Sequence, residues 1–257
     1  MGDQHFLIDD RVIDRIIRYA SLDGNDTVLE IGAGTGNLTK SLAKHVANVI
    51  AIESDHHLVE MLDDLSLPNV KVIQGDALKV EFPKFDKIVS NLPYSISSDF
   101  TFKLLKHDFK LGVLMYQHEF AKRMVATTGM ENYGRLSIVT QYLAEVQIME
   151  IIPNAALYPQ AKVKSAIVRL LSNTPKLEGF DKDFFLELAS AIFTQRRKQM
   201  KNVIINVAHM MNLGDVEKLI NILPQEIRSK RPEKLSPEEL AFLSNFIYRV
   251  HHETPPI

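Results

Sequence analysis

Thr27-Val28-Leu29-Glu30-Ile31-Gly32-Ala33-Gly34-Thr35-Gly36-Asn37-Leu38 decides the fold. An apolar run of strand length enters a glycine loop, and a helical pattern (Leu38 to Val46) leaves it, which makes the first half of a βαβ unit. Glycines let backbone come close to a ligand, and the start of the following helix favours electron-rich groups. A nicotinamide loop reads G-x-G-x-x-G, and its third glycine would fall at Asn37. The spacing here is G-x-G-x-G, with Gly32 and Gly34 at its head, the form found in S-adenosyl-L-methionine sites.

Working outward, Val49-Ile50-Ala51-Ile52 is a second strand with Glu53 at its carboxyl end. Glu53 lies about 20 residues beyond the loop, where a carboxylate reaches a ribose diol; a helix-capping carboxylate is the plainer alternative. Val70-Lys71-Val72-Ile73 is a third strand ending in Gly75-Asp76-Ala77. Asp76 is placed to accept from an adenine amine, or is an ordinary turn residue. Lys87-Ile88-Val89-Ser90 is a fourth, ending in Asn91-Leu92-Pro93-Tyr94. Pro93 cannot continue the ladder, so the chain must turn out of the sheet there. The Asn91 side-chain oxygen and the Leu92 carbonyl are acceptors, and Tyr94 offers a flat face. Two acceptors beside a ring suit a planar base with an exocyclic amine; a proline turn with a buried tyrosine is the alternative. In a doubly wound sheet these four strand ends converge on one crevice.

The rest of the chain fits an α/β, Rossmann-like sheet, mostly parallel with an antiparallel edge strand. Arg11–Ala20, Ile96–Leu105 and Glu119–Ala126 have helical spacing, and Gly112–Tyr116 is a fifth strand. Tyr133-Gly134-Arg135-Leu136-Ser137 leads into a helix or a strand. Val146–Ile152 and Ser165–Leu171 are expected to finish the sheet as an antiparallel pair. Pro153–Lys164 between them reads as an irregular loop, and Gln4–Ile8 as a patch too short for a core strand. Ser172–Gly179 looks like a linker. The boundaries are thus 1–172 for the cofactor-binding domain and 180–257 for a small all-helical domain. The helical part carries Gln195-Arg196-Arg197-Lys198-Gln199-Met200-Lys201 and a second basic stretch at Arg228, Lys230, Arg231 and Lys234. Either is a solvated helix face or a contact to a phosphate backbone.

Composition narrows the chemistry. The net charge of −2 means that any polyanion must be held by local patches. The chain has no cysteine, which excludes a thiol nucleophile for methylating pyrimidine carbons and also cysteine-built zinc sites. His56-His57 and His251-His252 lack ligand spacing with carboxylates on one helix face, so no metal is expected. No stretch approaches the ~18 apolar residues of a membrane span, and Met1-Gly2-Asp3-Gln4 has no signal-peptide pattern. A cytoplasmic monomer is the expectation.

The chain resembles the ribosomal RNA adenine dimethyltransferase family (the KsgA/Dim group) over nearly its whole length. The resemblance rests on Gln4-His5-Phe6-Leu7, the glycine loop, Ile52-Glu53, Gly75-Asp76-Ala77 and Asn91-Leu92-Pro93-Tyr94-Ser95-Ile96-Ser97. It continues through Tyr133–Ser137, Lys162-Val163-Lys164-Ser165-Ala166-Ile167-Val168-Arg169 and Phe193-Thr194-Gln195-Arg196-Arg197-Lys198. Glu119–Met124 resembles the archaeal and eukaryotic branch. The resemblance implies a class I methyltransferase fold and dimethylation, from S-adenosyl-L-methionine, of N6 on two adjacent adenosines. These lie in the 3′-terminal hairpin loop of small-subunit rRNA, within an immature small ribosomal subunit. It places His5, Leu7, Gly32, Gly34, Glu53, Asp76, Ala77 and Asn91 at the cofactor, and Asn91, Leu92, Pro93 and Tyr94 at the target base. It places Lys162, Lys164, Arg196, Arg197, Lys198 and Lys201 on the RNA. Two departures stand out: the short start before Phe6-Leu7, and Leu157 where the family commonly has a phenylalanine flanking the base. The rivals are a large-subunit rRNA adenine methyltransferase, an assembly factor with secondary methylation, and a small-molecule N-methyltransferase.

Overall fold

The structure is a computed structural model that describes residues 5–175, 177–214 and 216–253. Met1–Gln4 and Lys176, named in the sequence reading, lie outside the described residues, as does the side chain of His252. The chain forms two compact units. One is made of the stretches up to Lys122 and Glu145–Ser172, the other of Arg123–Ala144 and the chain from Asn173 on.

The first unit begins with β1 (Phe6–Leu7) and α1 (Asp10–Ala20), followed by β2 (Thr27–Ile31), α2 (Asn37–Ala43), β3 (Asn48–Glu53) and α3 (His56–Asp64). It continues with β4 (Val70–Gln74), β5 (Lys87–Asn91), α4 (Ser97–Leu104), β6 (Leu111–Gln117) and α5 (His118–Met124). It closes with β7 (Ala144–Ile152), β8 (Leu157–Tyr158) and β9 (Ser165–Ser172). Seven strands make one sheet in the order β4-β3-β2-β5-β6-β9-β7. The pairs from β4 through to β6 are parallel, and β9 runs antiparallel to β6 with Met115 opposite Ile167. The order reverses beside β2, which puts a crevice outside the carboxyl ends of β2 and β5.

Local chemistry accounts for the elements. Asp9 caps α1 through the Arg11 N–H, and Val12, Ile13, Ile16 and Ile17 bury one helical face. Arg15 and Tyr19 both reach Glu150, at 2.8 Å each, and hold α1 to β7. The β2 strand is buried from Val28 to Ile31 because both its neighbours and the helices cover it.

At the amino ends of the strands, away from the glycine loop, Lys87 is buried and pairs with Asp26 at 2.7 Å. Its ammonium also donates to the Ser21 carbonyl. Removing one partner leaves a buried charge uncompensated, which typically costs about 3–5 kcal/mol. Lys87→Met is therefore expected to lower the thermal midpoint by about 10 °C. Adding Asp26→Asn should recover part of that loss by circular dichroism, and a Lys87→Met midpoint equal to wild type would contradict it.

The sequence reading is corrected at two places in this unit. Pro153–Lys164 is not wholly irregular: Leu157 and Tyr158 pair antiparallel with Leu7 and Phe6 in a two-stranded sheet separate from the main one. Glu60 stands 3.5 Å from His56 and 3.6 Å from His57, one helical turn along α3, so a carboxylate does share their face. Among the described residues no cluster of three such groups could hold a metal ion, and no helix is long and apolar enough to cross a membrane.

The second unit is helical: α6 (Arg135–Leu143), α7 (Lys182–Phe193), α8 (Met200–Met211), α9 (Val216–Ile222), α10 (Gln225–Ser229) and α11 (Pro237–Glu253). Helix α6 falls within the 1–172 span of the sequence reading, yet it packs on α7 and α11. It is buried almost all round, from Leu136 to Leu143, which suits the middle of a helical core. The Tyr133 hydroxyl donates to the Leu235 carbonyl at 2.7 Å, and Tyr142 packs on Phe180 and Phe185.

Candidate active site

The ends of β2, β3, β4 and β5 surround a cavity of about 620 Å³. Gly32 and Gly34 of the glycine loop line it, as do Glu53, Asp76 and Ala77. Asn91, Leu92, Pro93 and Tyr94 form another wall, and His5, Phe6 and Leu7 of the β1 segment lie across it. The six basic residues assigned to RNA lie outside the cavity: Lys162 and Lys164 are exposed on the β8–β9 loop. Arg196, Arg197 and Lys198 are exposed in the turn between α7 and α8, with Lys201 in the first turn of α8. Arg196 is paired with Glu233 at 3.2 Å.

The glycine loop is shaped by its neighbours. Gly34 has φ +57, and a side chain there would stand 2.8 Å from the Phe6 ring. Gly32 has φ +66, and a Cβ there would meet Pro93 at 3.1 Å, so the bare backbone is what lets the proline corner close in. Asn37 explains the departure from a nicotinamide loop: its side-chain amide donates to the Leu7 carbonyl at 2.9 Å and clamps β1 down.

Glu53 is buried, and one carboxylate oxygen accepts from the Gly34 N–H at 2.9 Å. The other accepts from Ser54 and Asp55 N–H groups at 2.8 and 3.0 Å. Asp76 accepts from the Leu78 N–H at 2.9 Å, which forms the turn that presents Ala77. Lys103 of α4 holds the same loop by donating to the Ala77 and Val80 carbonyls, with its ammonium 4.2 Å from the Phe82 ring centre.

Asn91 is the informative side chain. Its amide nitrogen donates to the His5 carbonyl at 2.7 Å. That bond fixes the amide and leaves Oδ1 as the group offered to a ligand. His5 is itself tied down, its Nδ1 donating to the Pro159 carbonyl at 2.7 Å. The Tyr94 hydroxyl shares a hydrogen bond with Ser165 Oγ at 2.5 Å, and its ring centre is 5.6 Å from that of His5. The corner is thus braced by two distant segments, 5–8 and 157–165. Sequence reasoning misses both braces, because single hydrogen bonds across such separations leave no periodic signal.

It also misses Glu30. This carboxylate is 2% exposed at the end of β2, lines the cavity, and has one oxygen, Oε2, without a hydrogen-bond partner. Burial pushes its pKa up to about 8; the Thr39 hydroxyl opposes this and the nearby Glu53 charge adds to it. The available signal is a lone charged residue inside an otherwise apolar strand.

A ligand carrying a cationic group would give Oε2 its missing partner, and the cradle at Gly32 and Gly34 admits an extended chain. The carboxylate acceptors at Glu53 and Asp76 suit the hydroxyl and amine donors of a nucleoside. The residues present therefore fit S-adenosyl-L-methionine.

Leu157, at the position where a base-flanking phenylalanine is common, is 1% exposed and belongs to the core.

The family model for ribosomal RNA adenine dimethylase matches residues 3–239. A Methanosarcina mazei protein described as a probable ribosomal RNA small subunit methyltransferase A is 50% identical over 96% of this chain and 92% of its own. The crystal structure of a dimethyladenosine transferase from Plasmodium falciparum aligns with TM-score 0.81 and 31% identity, covering 95% of this chain and 97% of that one. The 23S rRNA methyltransferase ErmE aligns with TM-score 0.67 and 27% identity, covering 95% and 99%.

Proposed function

The chain belongs to the ribosomal RNA adenine dimethylase family, and we propose that it dimethylates N6 of two adjacent adenosines in the 3′-terminal hairpin loop of small-subunit rRNA. The observation that carries this reading is the Asn91 amide, whose nitrogen is committed to the His5 carbonyl in the wall of the cavity that Leu92, Pro93 and Tyr94 also line. We place the reaction on rRNA within an immature small subunit, in the cytoplasm, with the protein acting as a monomer.

S-adenosyl-L-methionine, when bound, supplies an electrophilic methyl group on a sulfonium. Glu30 and the backbone at Gly32 and Gly34 hold its amino-acid end, Glu53 its ribose, and Asp76 with Ala77 its adenine, with His5 and Leu7 bordering it. At the target, Asn91 Oδ1 and the Leu92 carbonyl accept the two protons of the N6 amine and aim its lone pair. Pro93 fixes the direction of that carbonyl, and Tyr94, braced by Ser165, stacks on the ring. A stacked base is worth about 1–3 kcal/mol. The amine releases its proton to water, so positioning and electrostatics carry the catalysis and no strong base is needed. A monomethylated amine keeps one proton for the acceptors, and the site must accept that loss for the second transfer. Lys162 and Lys164 in the first unit, and Arg196, Arg197, Lys198 and Lys201 in the second, contact backbone phosphates.

The test is mass spectrometry of both rRNAs after incubation of small and large subunits with this protein and labelled cofactor. Two neighbouring dimethyladenosines near the 3′ end of the small-subunit rRNA are expected. Label confined to large-subunit rRNA would overturn the substrate assignment.

A separate expectation concerns Glu53. Glu53→Ala should weaken cofactor binding about 10- to 100-fold, the range for losing hydrogen bonds to a charged group. Glu53→Gln, which keeps one of the two acceptor oxygens, should lose less. Unchanged affinity in calorimetry for both variants would remove Glu53 from the ribose.

A further inference from the structure

We infer that Tyr158 is a stacking platform for an unpaired nucleobase next to the one in the site, an assignment that rests on the reading above that the ligand is RNA. In an antiparallel pair, directly opposed residues share a face and successive residues alternate. Leu7 and Leu157 are opposed and both point into the core, at 4% and 1% exposure. Phe6 and Tyr158 are therefore on the other face. Phe6 lines the cavity against Gly34, and Tyr158 shares its strand face just beyond the cavity lining, where it is 66% exposed.

The backbone under the ring is fastened. His5 Nδ1 donates to the carbonyl of Pro159, and Ile8 N–H donates to the carbonyl of Ala156 at 3.0 Å. An exposed ring on a fixed backbone meets a base with little entropy to lose. Lys162 and Lys164 follow on the same loop, exposed and without an acidic partner among the described residues. An aromatic face beside free cations is the combination that single-stranded nucleic acid binding uses, and it accepts any base. Leu157, buried, offers no such face.

The experiment uses the full chain and a synthetic RNA hairpin with two adjacent loop adenosines and 2-aminopurine beside them. Wild-type protein is expected to quench the probe on binding. Tyr158→Ala should lose that quenching and weaken RNA affinity about tenfold, while Tyr158→Phe and Tyr158→Trp keep both. The rate at saturating RNA and the cofactor affinity should stay within about twofold, because the ring binds ground and transition states alike. Tyr158→Ala with wild-type RNA affinity and quenching would overturn the assignment and leave the ring to a protein contact. A Phe variant as weak as the Ala variant would overturn it too. Wild-type protein that neither binds nor methylates the hairpin would sink the underlying reading, whereas an active enzyme indifferent to Tyr158 would sink this inference alone.

Discussion

Asn91→Ala is expected to slow methyl transfer about 10²–10³-fold at saturating substrates, the usual effect of deleting one positioned hydrogen-bonding group at a reacting centre. Cofactor binding should weaken far less than the rate and remain measurable, since Glu53 and Asp76 hold the nucleoside without Asn91. The expectation follows from how the amide is held. Its nitrogen is committed to the His5 carbonyl at 2.7 Å, and His5 is committed to Pro159, so the oxygen has no freedom to turn away. Asn91→Asp separates the two halves of that arrangement. The aspartate keeps an acceptor but cannot donate to His5, and two oxygens would face each other where a hydrogen bond stood. Its rate should fall nearly as far as that of the alanine variant. Single-turnover transfer of labelled methyl to the RNA hairpin measures the rate, and calorimetry the cofactor. Near-normal turnover by Asn91→Ala would remove the residue from the chemistry. Normal turnover by Asn91→Asp would remove only the role of the His5 brace.

Why the sheet and the strand-end residues are readable from the chain, while the braces are not, comes down to range. Val28–Ile31 (broken only by Glu30), Val49–Ile52 and Ile88–Ser90 are buried runs because both faces of a central parallel strand are covered, and such runs show in the local sequence. Glu53 and Asp76 are found by their offset from glycines a few residues away. By contrast β1 is two residues long and pairs with β8 some 150 positions later, so its stability comes entirely from partners that no local pattern announces. Lys103 looks like an ordinary surface lysine on an amphipathic helix until its ammonium is found between two carbonyls of the loop that carries Asp76. Helix α6 is misassigned by a linear boundary because domain membership is decided by what buries its faces, not by where it falls in the chain. The polar residues with the most consequence are thus those whose partners are most distant.

Glu30→Gln should stabilise the free protein and flatten its pH dependence. An ordinary glutamate ionises near pH 4.5, whereas the buried Glu30 carboxyl holds its proton up to about pH 8. Between those values the unfolded chain is ionised at this position and the folded chain is not. Unfolding therefore releases a proton, and stability falls as pH rises through the window, levelling off above the folded value. The contribution lost between about pH 5 and pH 8 is on the order of 3–4 kcal/mol. Denaturant unfolding of wild type and variant across that range should show their difference widening by this amount, with Glu30→Gln the more stable at the alkaline end. Parallel curves would mean that Glu30 is not buried as a neutral acid. The same replacement separates stability from binding. If the cofactor's ammonium meets Oε2, the carboxyl must ionise on binding, and near neutral pH the wild type should release about one proton per cofactor bound. Calorimetry in buffers of different ionisation enthalpy reads that proton directly. The glutamine variant should release none and bind the cofactor more weakly, so that one substitution makes the fold firmer and the site poorer. That opposition is what a buried acid kept for a ligand predicts, and a purely structural carboxyl would not produce it.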